Sequence, residues 1–398
     1  MLKAAEAREA GTLGAGGVLR LVRDGTATTR NELAEQSGLS RSTLADRVQS
    51  LLALELLQEI TGVASTGGRP PATLTFNRAA GAVLVADLDT THCRVAVCDL
   101  AATPLAERAF AFDVTRPPEA ILAEIKASFT DLLNASTTEI DRVRAIGIGL
   151  QAPVAFARGE PVDARMLPGW DGFSIPNWFA PHYEAPVLVD SHVNLMALGE
   201  HWTHWRAIEH LLYVTVGQSI ECGIVASRHV HRGANGAAGD IGHVRLAGHD
   251  DVLCPCGNTG CLEAVAGGDA LAANLTAVGL PATSSRDVLA HARAGEPLAL
   301  QAVRDAGRAV GEVLAECINF FNPGAIIIGG DLSEAPQQLL AGVREAAIGR
   351  SLPMATRDLR MGSTRLGVRA GLIGAAVMVI EHVLAPENVD REVHRHTR

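Results

Sequence analysis

Three thiols fall within eight residues, at Cys254, Cys256 and Cys261. Sulfur donors this close together suit a tetrahedral metal, zinc above all, which takes four thiolate or imidazole ligands. Gly257 and Gly260 stand among them, where the tight turns of a metal knuckle favour a residue without a Cβ. The alternative is three unpaired thiols in a loop. The chain has seven Cys, an odd number, and the crowding favours metal binding in a reducing cytoplasm over a disulfide framework. A second group of side chains has the chemistry of DNA recognition. Arg41, Ser42, Thr43, Asp46 and Arg47 present polar and basic groups near the start of one apolar-patterned segment, and Arg69 stands in the Gly/Pro-rich run Thr66-Gly67-Gly68-Arg69-Pro70.

The elements that must position the DNA-reading group are legible. Val18, Leu19, Leu21 and Val22 predict a first helix ending near Gly25, and Thr29 is placed to cap a second that carries Leu33 and Ala34 and breaks at Gly38. Ser40 is a good cap for a third helix, Arg41 to about Leu56, whose Leu44, Val48, Leu51 and Leu52 recur at helical spacing and face inward. A short helix, a glycine turn and a longer helix with a polar, basic start is the layout of a helix-turn-helix. Leu57–Ile60 and Thr73–Phe76 then alternate as the two strands of a hairpin, the wing, whose tip would offer Arg69 to a minor groove. A three-helix dimerisation module with ordinary surface arginines is the competing reading.

Bulk properties bound the rest. With 398 residues the chain suits two or three domains. Aromatic residues make up only 4%, so Ala, Val, Leu and Ile build the core. The net charge of −10 is uneven: residues 1–80 hold nine Lys/Arg and eight Asp/Glu, and the remainder holds 25 and 36. A near-neutral module on an acidic body is compatible with DNA binding, which depends on phosphate contacts. MLKAAEAREA has charges where a signal peptide would be apolar, and no apolar run reaches the length of a membrane span. A cytoplasmic protein with no membrane partner is expected.

Beyond residue 80, strands are predicted at 82–88, 94–100, 145–150, 187–190, 211–216, 223–226 and 326–328, with helices near 119–133, 300–320, 336–349 and 371–384. That order fits two α/β lobes with a cleft between them. Asp87-Leu88-Asp89-Thr90-Thr91 sits where the actin-like sugar kinases have Asp-x-Gly-Gly-Thr. Together with Leu167-Pro168-Gly169-Trp170, the run Gly233–His243 and the run Cys254–Glu263, it resembles the signatures of the ROK family (repressors, open reading frames and kinases) over about residues 12–385. The resemblance implies a winged helix-turn-helix followed by a two-lobe α/β actin-like, ribonuclease H-like sugar-kinase fold. The expected domains are 1–78 for DNA binding, 79–190 with a C-terminal helix near 371–390 for a small lobe, and 191–370 for a large lobe bearing the knuckle and a dimerisation surface. It further implies His243 as fourth ligand of a structural zinc with no open position.

Family kinases need glycines for close phosphate approach and a carboxylate as general base. Here Asp89-Thr90 replaces the Gly-Gly pair, and a second glycine-rich turn reads Gly217-Gln218-Ser219-Ile220-Glu221-Cys222-Gly223. The Asn-Asp-x-Asn pattern reads Ser191-His192-Val193-Asn194, so His192 replaces the catalytic Asp. The family's sugar-holding positions fall on Ser191, His192, Asp240, His243 and Glu263, of which only the last two are retained. A protonated His192 would suit an acidic or phosphorylated sugar, or the ring merely fills space. Trp170 either covers the cleft or packs in the core. The chain is thus expected to be a transcriptional regulator, a repressor, that binds a double-stranded operator and a sugar or sugar-derivative effector as a homodimer or homotetramer, and not an enzyme. A sugar kinase with an appended DNA-binding domain and a ligand-independent regulator are the rival readings.

Overall fold

The computed structural model describes residues 13–60, 72–164 and 167–396. The N-terminal module holds α1 (Ala15–Arg23), α2 (Arg30–Ser37), α3 (Arg41–Ala53) and the antiparallel strands β1 (Leu57–Ile60) and β2 (Thr73–Phe76). Its caps are those the sequence suggests. Thr29 and Glu32 form a reciprocal capping box, Gly38 turns left-handed at φ +66°, and the Ser40 hydroxyl accepts from the Thr43 N–H. Such caps satisfy backbone donors that a helix end leaves unpaired. Leu44, Val48 and Leu51 are buried as expected, while Leu52 is only half-buried. Helix α3 stops at Ala53 and not near Leu56, because Glu55 adopts φ +58° and swings Leu56 into the core. The run 66–70, with Arg69, lies outside the described residues.

Two five-stranded sheets follow with the same spatial order. The first contains β3 (Ala82–Leu88), β4 (His92–Asp99), β5 (Pro104–Ala111), β6 (Val143–Leu150) and β7 (Val187–Ser191), arranged β5-β4-β3-β6-β7. Helix α4 (Pro118–Ala135) packs Ile121, Leu122, Ile125 and Phe129 into its core. Every residue of β3 is buried, as befits a strand covered on both faces. Helix α5 (His192–His204) leaves this sheet for the second. That sheet comprises β8 (Leu211–Val216), β9 (Ile220–Ala226), β10 (His229–Val230), β11 (Ala325–Gly329) and β12 (Arg360–Ser363), in the order β10-β9-β8-β11-β12. Helices α6 (Pro297–Phe321) and α7 (Pro336–Arg350) pack together beside it. In each sheet the first two strands form an antiparallel hairpin and the last two add in parallel. The strands at 104–111 and 360–363 escape the sequence reading. The first is a largely exposed edge with a weak apolar pattern.

Helix α8 (Ala370–Val383) returns the chain to the first sheet and lies against α5. It is buried from Ala370 through Ile380, on all sides, which suits its Gly/Ala/Val/Ile composition. A Cβ on Gly374 would lie 1.8 Å from the Leu195 carbonyl oxygen, and one on Gly199 would lie 2.2 Å from that of Ala370. The two helices therefore meet backbone to backbone. Helix α9 (Pro386–His396) follows and docks on α1 through buried Val389 and Val393, with Asp390 Oδ1 accepting from the Gly16 N–H at 2.9 Å. Trp170 is fully buried beside Phe173 and is core packing. Among the described residues no single helix is long and apolar enough to cross a membrane.

The close approach sets a stability test. Gly374→Ala should cost ~1–3 kcal/mol or more, the usual price of overpacking a tight contact. Gly349→Ala on α7, with nothing within 4 Å of the added methyl, should be neutral or stabilise by ~0.5–1 kcal/mol. Urea unfolding of both variants separates the cases, and equal midpoints would refute the close-packing account.

Candidate functional site

The four expected metal ligands come together. His243 ends a short turn of helix at Ile241–His243, and Cys254, Cys256 and Cys261 lie in a loop folded by bridges between Leu253 and Thr259 and between Arg245 and Cys261. Gly257, at φ +94°, allows its N–H to close a turn onto the Cys254 carbonyl. Cys254 Sγ lies 3.7 Å from His243 Nδ1, Cys256 Sγ lies 3.7 Å from Cys261 Sγ, and all four donor atoms fall within 4.8 Å of one another. A tetrahedron with metal–sulfur bonds of ~2.3 Å has edges of ~3.8 Å, so the four donors fit one tetrahedral metal ion. The sequence pattern supplied the three thiols, and His243 arrives from eleven residues upstream through the fold.

Between the lobes lies a cleft of about 620 Å³. The hairpin turns of the two sheets face it: Asp89–Thr91 after β3 and Gly217–Ser219 after β8. Asp89 does not leave its turn open. Its Oδ1 accepts from the N–H of Thr91 and of His92, both at 2.6 Å, and from the Thr91 hydroxyl at 2.9 Å. The carboxylate therefore satisfies these donors of the turn itself. Two unit charges of the same sign 4 Å apart repel by ~4 kcal/mol at an effective dielectric of ~20, so a polyphosphate in this turn would also meet direct repulsion.

His192 is the first residue of α5 and lines the same cleft. Its Nδ1 lies 2.6 Å from Oδ1 of buried Asp87. Burial works against the charged ring, and the charge and hydrogen bond of Asp87 more than offset it, pushing the imidazole up to about 9. His192 is thus protonated at neutral pH, but its charge is already answered by Asp87. The positive site suggested for an acidic sugar is correspondingly weakened. Glu221, two residues beyond Ser219, also lines the cleft and accepts from the Ser219 hydroxyl at 3.0 Å. Burial raises its carboxyl, the positive His192 opposes this, and Glu263 and Asp240 reinforce it.

The other carried-over sugar positions sit away from the lining of this cleft. Ser191 is buried at the end of β7, its N–H on Asp190 Oδ1 at 2.8 Å. Asp240 is exposed on the turn before His243. Glu263 stands at the second position of the helix Leu262–Ala266, and its Oε2 accepts from the Ile220 N–H at 3.1 Å. Burial raises the Glu263 carboxyl, while that hydrogen bond and nearby His243 lower it. Arg232, Asp190, Phe156 and Gln151 are site residues that the sequence does not single out. Arg232 pairs with buried Asp190 at 2.6 Å and stacks on Phe156 with 3.8 Å to the ring centroid, and Gln151 donates across the cleft to the Ser219 hydroxyl at 3.0 Å. Nothing in a linear pattern marks Arg232, because its partners are 42 and 76 positions away in sequence.

On the N-terminal module, Arg41 and Ser42 are exposed at the start of α3, and Thr43 and Arg47 are half-buried on the same helix. Arg30 of α2 is paired with Glu59, so it is not a free cation.

The His192–Asp87 pair makes stability depend on pH. The folded value of about 9 lies above the ordinary 6.5, so the pair's contribution is complete below pH 6.5 and is lost as pH rises through 9. Comparing thermal midpoints of the native protein and His192→Gln from about pH 6 to about pH 10 should show a gap that closes on the alkaline side. A constant gap would refute the charged pair.

The sequence profile of the ROK family matches residues 84–382. The xylose repressor of Bacillus spizizenii is 27% identical, over 89% of this chain and 92% of its own length. The crystal structure of a ROK family transcriptional regulator, a homolog of the E. coli MLC protein, superposes with a TM-score of 0.82 at 26% identity, covering 95% of this chain and 98% of that one. A ROK family glucokinase from Streptomyces griseus, solved with glucose and AMPPNP, gives a TM-score of 0.64 at 26% identity and covers 75% of this chain and 99% of its own.

Proposed function

This chain belongs to the ROK family, and we propose that it is a DNA-binding transcriptional regulator, a repressor, whose kinase-like body senses a sugar or sugar derivative. One observation carries the reading. The turn that should receive a nucleotide's phosphates is closed by the Asp89 carboxylate, and the position of the catalytic base is a histidine tied to Asp87. The similarity to regulators along almost the whole chain, N-terminal module included, supports it.

In this reading residues 1–78 bind DNA, with Arg41, Ser42, Thr43 and Arg47 of α3 and Arg69 of the wing meeting the duplex. Residues 79–190, joined by the helix near 371–390, form the small lobe, and 191–370 form the large one. The effector contacts are assigned to Ser191, His192, Asp240, His243 and Glu263, of which His192 lines the main cleft and the other four lie outside its lining. The protein works in the cytoplasm as a homodimer or homotetramer on paired half-sites, since one recognition helix reads only a few base pairs. It transfers no phosphoryl group.

Zinc is the metal that three thiols and an imidazole select, and closed four-coordination makes it structural. It would order the loop that carries His243 and Glu263. Purified protein should contain one zinc per chain by elemental analysis. Cys261→Ser should lose it and unfold at a lower temperature, and a full-length protein with no bound zinc and undiminished stability would refute the assignment.

The DNA reading is tested by fluorescence anisotropy with the region upstream of the protein's own operon. Arg41→Ala and Arg47→Ala should each weaken specific binding by ~1–3 kcal/mol, roughly 5- to 150-fold. Pentoses, hexoses and N-acetylhexosamines are then screened for a change in affinity. Absence of DNA binding at low salt, or ATP-dependent phosphorylation of any of these sugars, would overturn the proposal.

A further inference from the structure

The N-terminal module is not tethered by a free linker. Its buried residues join those of α8 and α9 in one continuous apolar core. Helix α5 begins in the cleft with His192 and ends beside this module, about 20 Å away for thirteen residues at 1.5 Å each. Its Trp202 lies under two guanidinium groups, that of Arg206 at 3.8 Å and that of Arg23 at 5.4 Å from the ring centroid. Arg23 ends α1, so it belongs to the DNA-binding module, and it also pairs with Glu381 near the end of α8. One arginine thereby touches both central helices where they leave the cleft behind.

Those helices have no slack between them. Gly374 against Leu195 and Gly199 against Ala370 put backbone on backbone, so one cannot slide without the other. Both also start at the same carboxylate. Asp87 pairs with His192 at the head of α5, and its side-chain oxygens sit where a Cβ on Gly371, the second residue of α8, would fall.

We infer that α5 and α8 act as one rigid lever that carries the state of the Asp87–His192 pair to the DNA-binding module, with Arg23 as the junction. A ligand that engages His192 or Asp87 would break or tighten the pair at one end and reposition α1 at the other. Such a coupling requires a pair that switches between two arrangements, and a contact whose removal uncouples the ends. The paired and released forms of His192 supply the first, and Arg23 supplies the second.

The inference rests on residues 15–76 being the regulated part, but its test needs neither DNA nor sugar, so it fails independently of the proposed function. Hydrogen–deuterium exchange is measured by mass spectrometry on the full chain. His192→Asn should raise exchange by at least ~5-fold, an ordinary coupling size, both in 195–204 and in 15–24. Arg23→Met keeps the aliphatic stem and removes the charged junction. In an Arg23→Met background, His192→Asn should still loosen 195–204 while its effect on 15–24 disappears. Asp87→Asn breaks the same pair from the other side at equal size, and serves if His192→Asn does not fold. No response of 15–24 to either variant, or a response that survives Arg23→Met, would overturn the lever.

Discussion

The backbone contact between α5 and α8 is the constraint on which the other arrangements rest. One helix carries the chain from the first sheet to the second and the other carries it back. At each meeting point a glycine removes the Cβ that would hold them apart, and Gly223 does the same where β9 crosses Val193. Interiors packed to this density transmit displacement because they cannot absorb it. The cleft, the two hairpin turns that face it and the docking of the N-terminal module all inherit their positions from this pair.

Within that frame the cleft gathers charged groups of both signs. Asp87, Asp89 and Glu221 converge on it with the cations His192, Arg94 and Arg286, of which His192 is already paired with Asp87. A kinase of this architecture must hold a triphosphate against its turns by backbone N–H groups, and here a side chain of the turn itself takes two of those donors. The result is a polar cleft rich in hydrogen-bonding side chains. Buried hydrogen-bonding groups of that kind discriminate strongly among hydroxylated molecules, because a mismatch strands an unpaired polar atom.

Much of this was legible in the chain. Thr29, Gly38 and Ser40 are local signals, and the helix ends they predict are the ones observed, since capping is decided within four residues. The three cysteines and the glycines between them are equally local. The sequence carries α3 about three residues too far because nothing at Glu55 announces a left-handed backbone. The edge strand 104–111 was missed because its pattern is half exposed and its pairing with 92–99 depends on the rest of the sheet. In the sequence Asp87 stands as a piece of a turn that resembles a phosphate-binding one. Its partnership with His192 spans 105 residues and exists only once α5 is set against β3. The same holds for Arg232 with Asp190, and for Gln151 with Ser219. The roles of Ser191 and Asp240, carried over by position alone, concern side chains that do not line the main cleft.

The docking of α9 on α1 ties the two ends of the described chain together. The family profile ends at residue 382 and begins at 84, so both segments that embrace each other lie outside it. Gly14 and Gly16 leave room for Asp390 and for the Pro386 carbonyl, which larger residues would deny. Without α9 the N-terminal head would therefore keep an uncovered apolar flank. The last described helix thus completes the packing of the first, and the two form one structural unit.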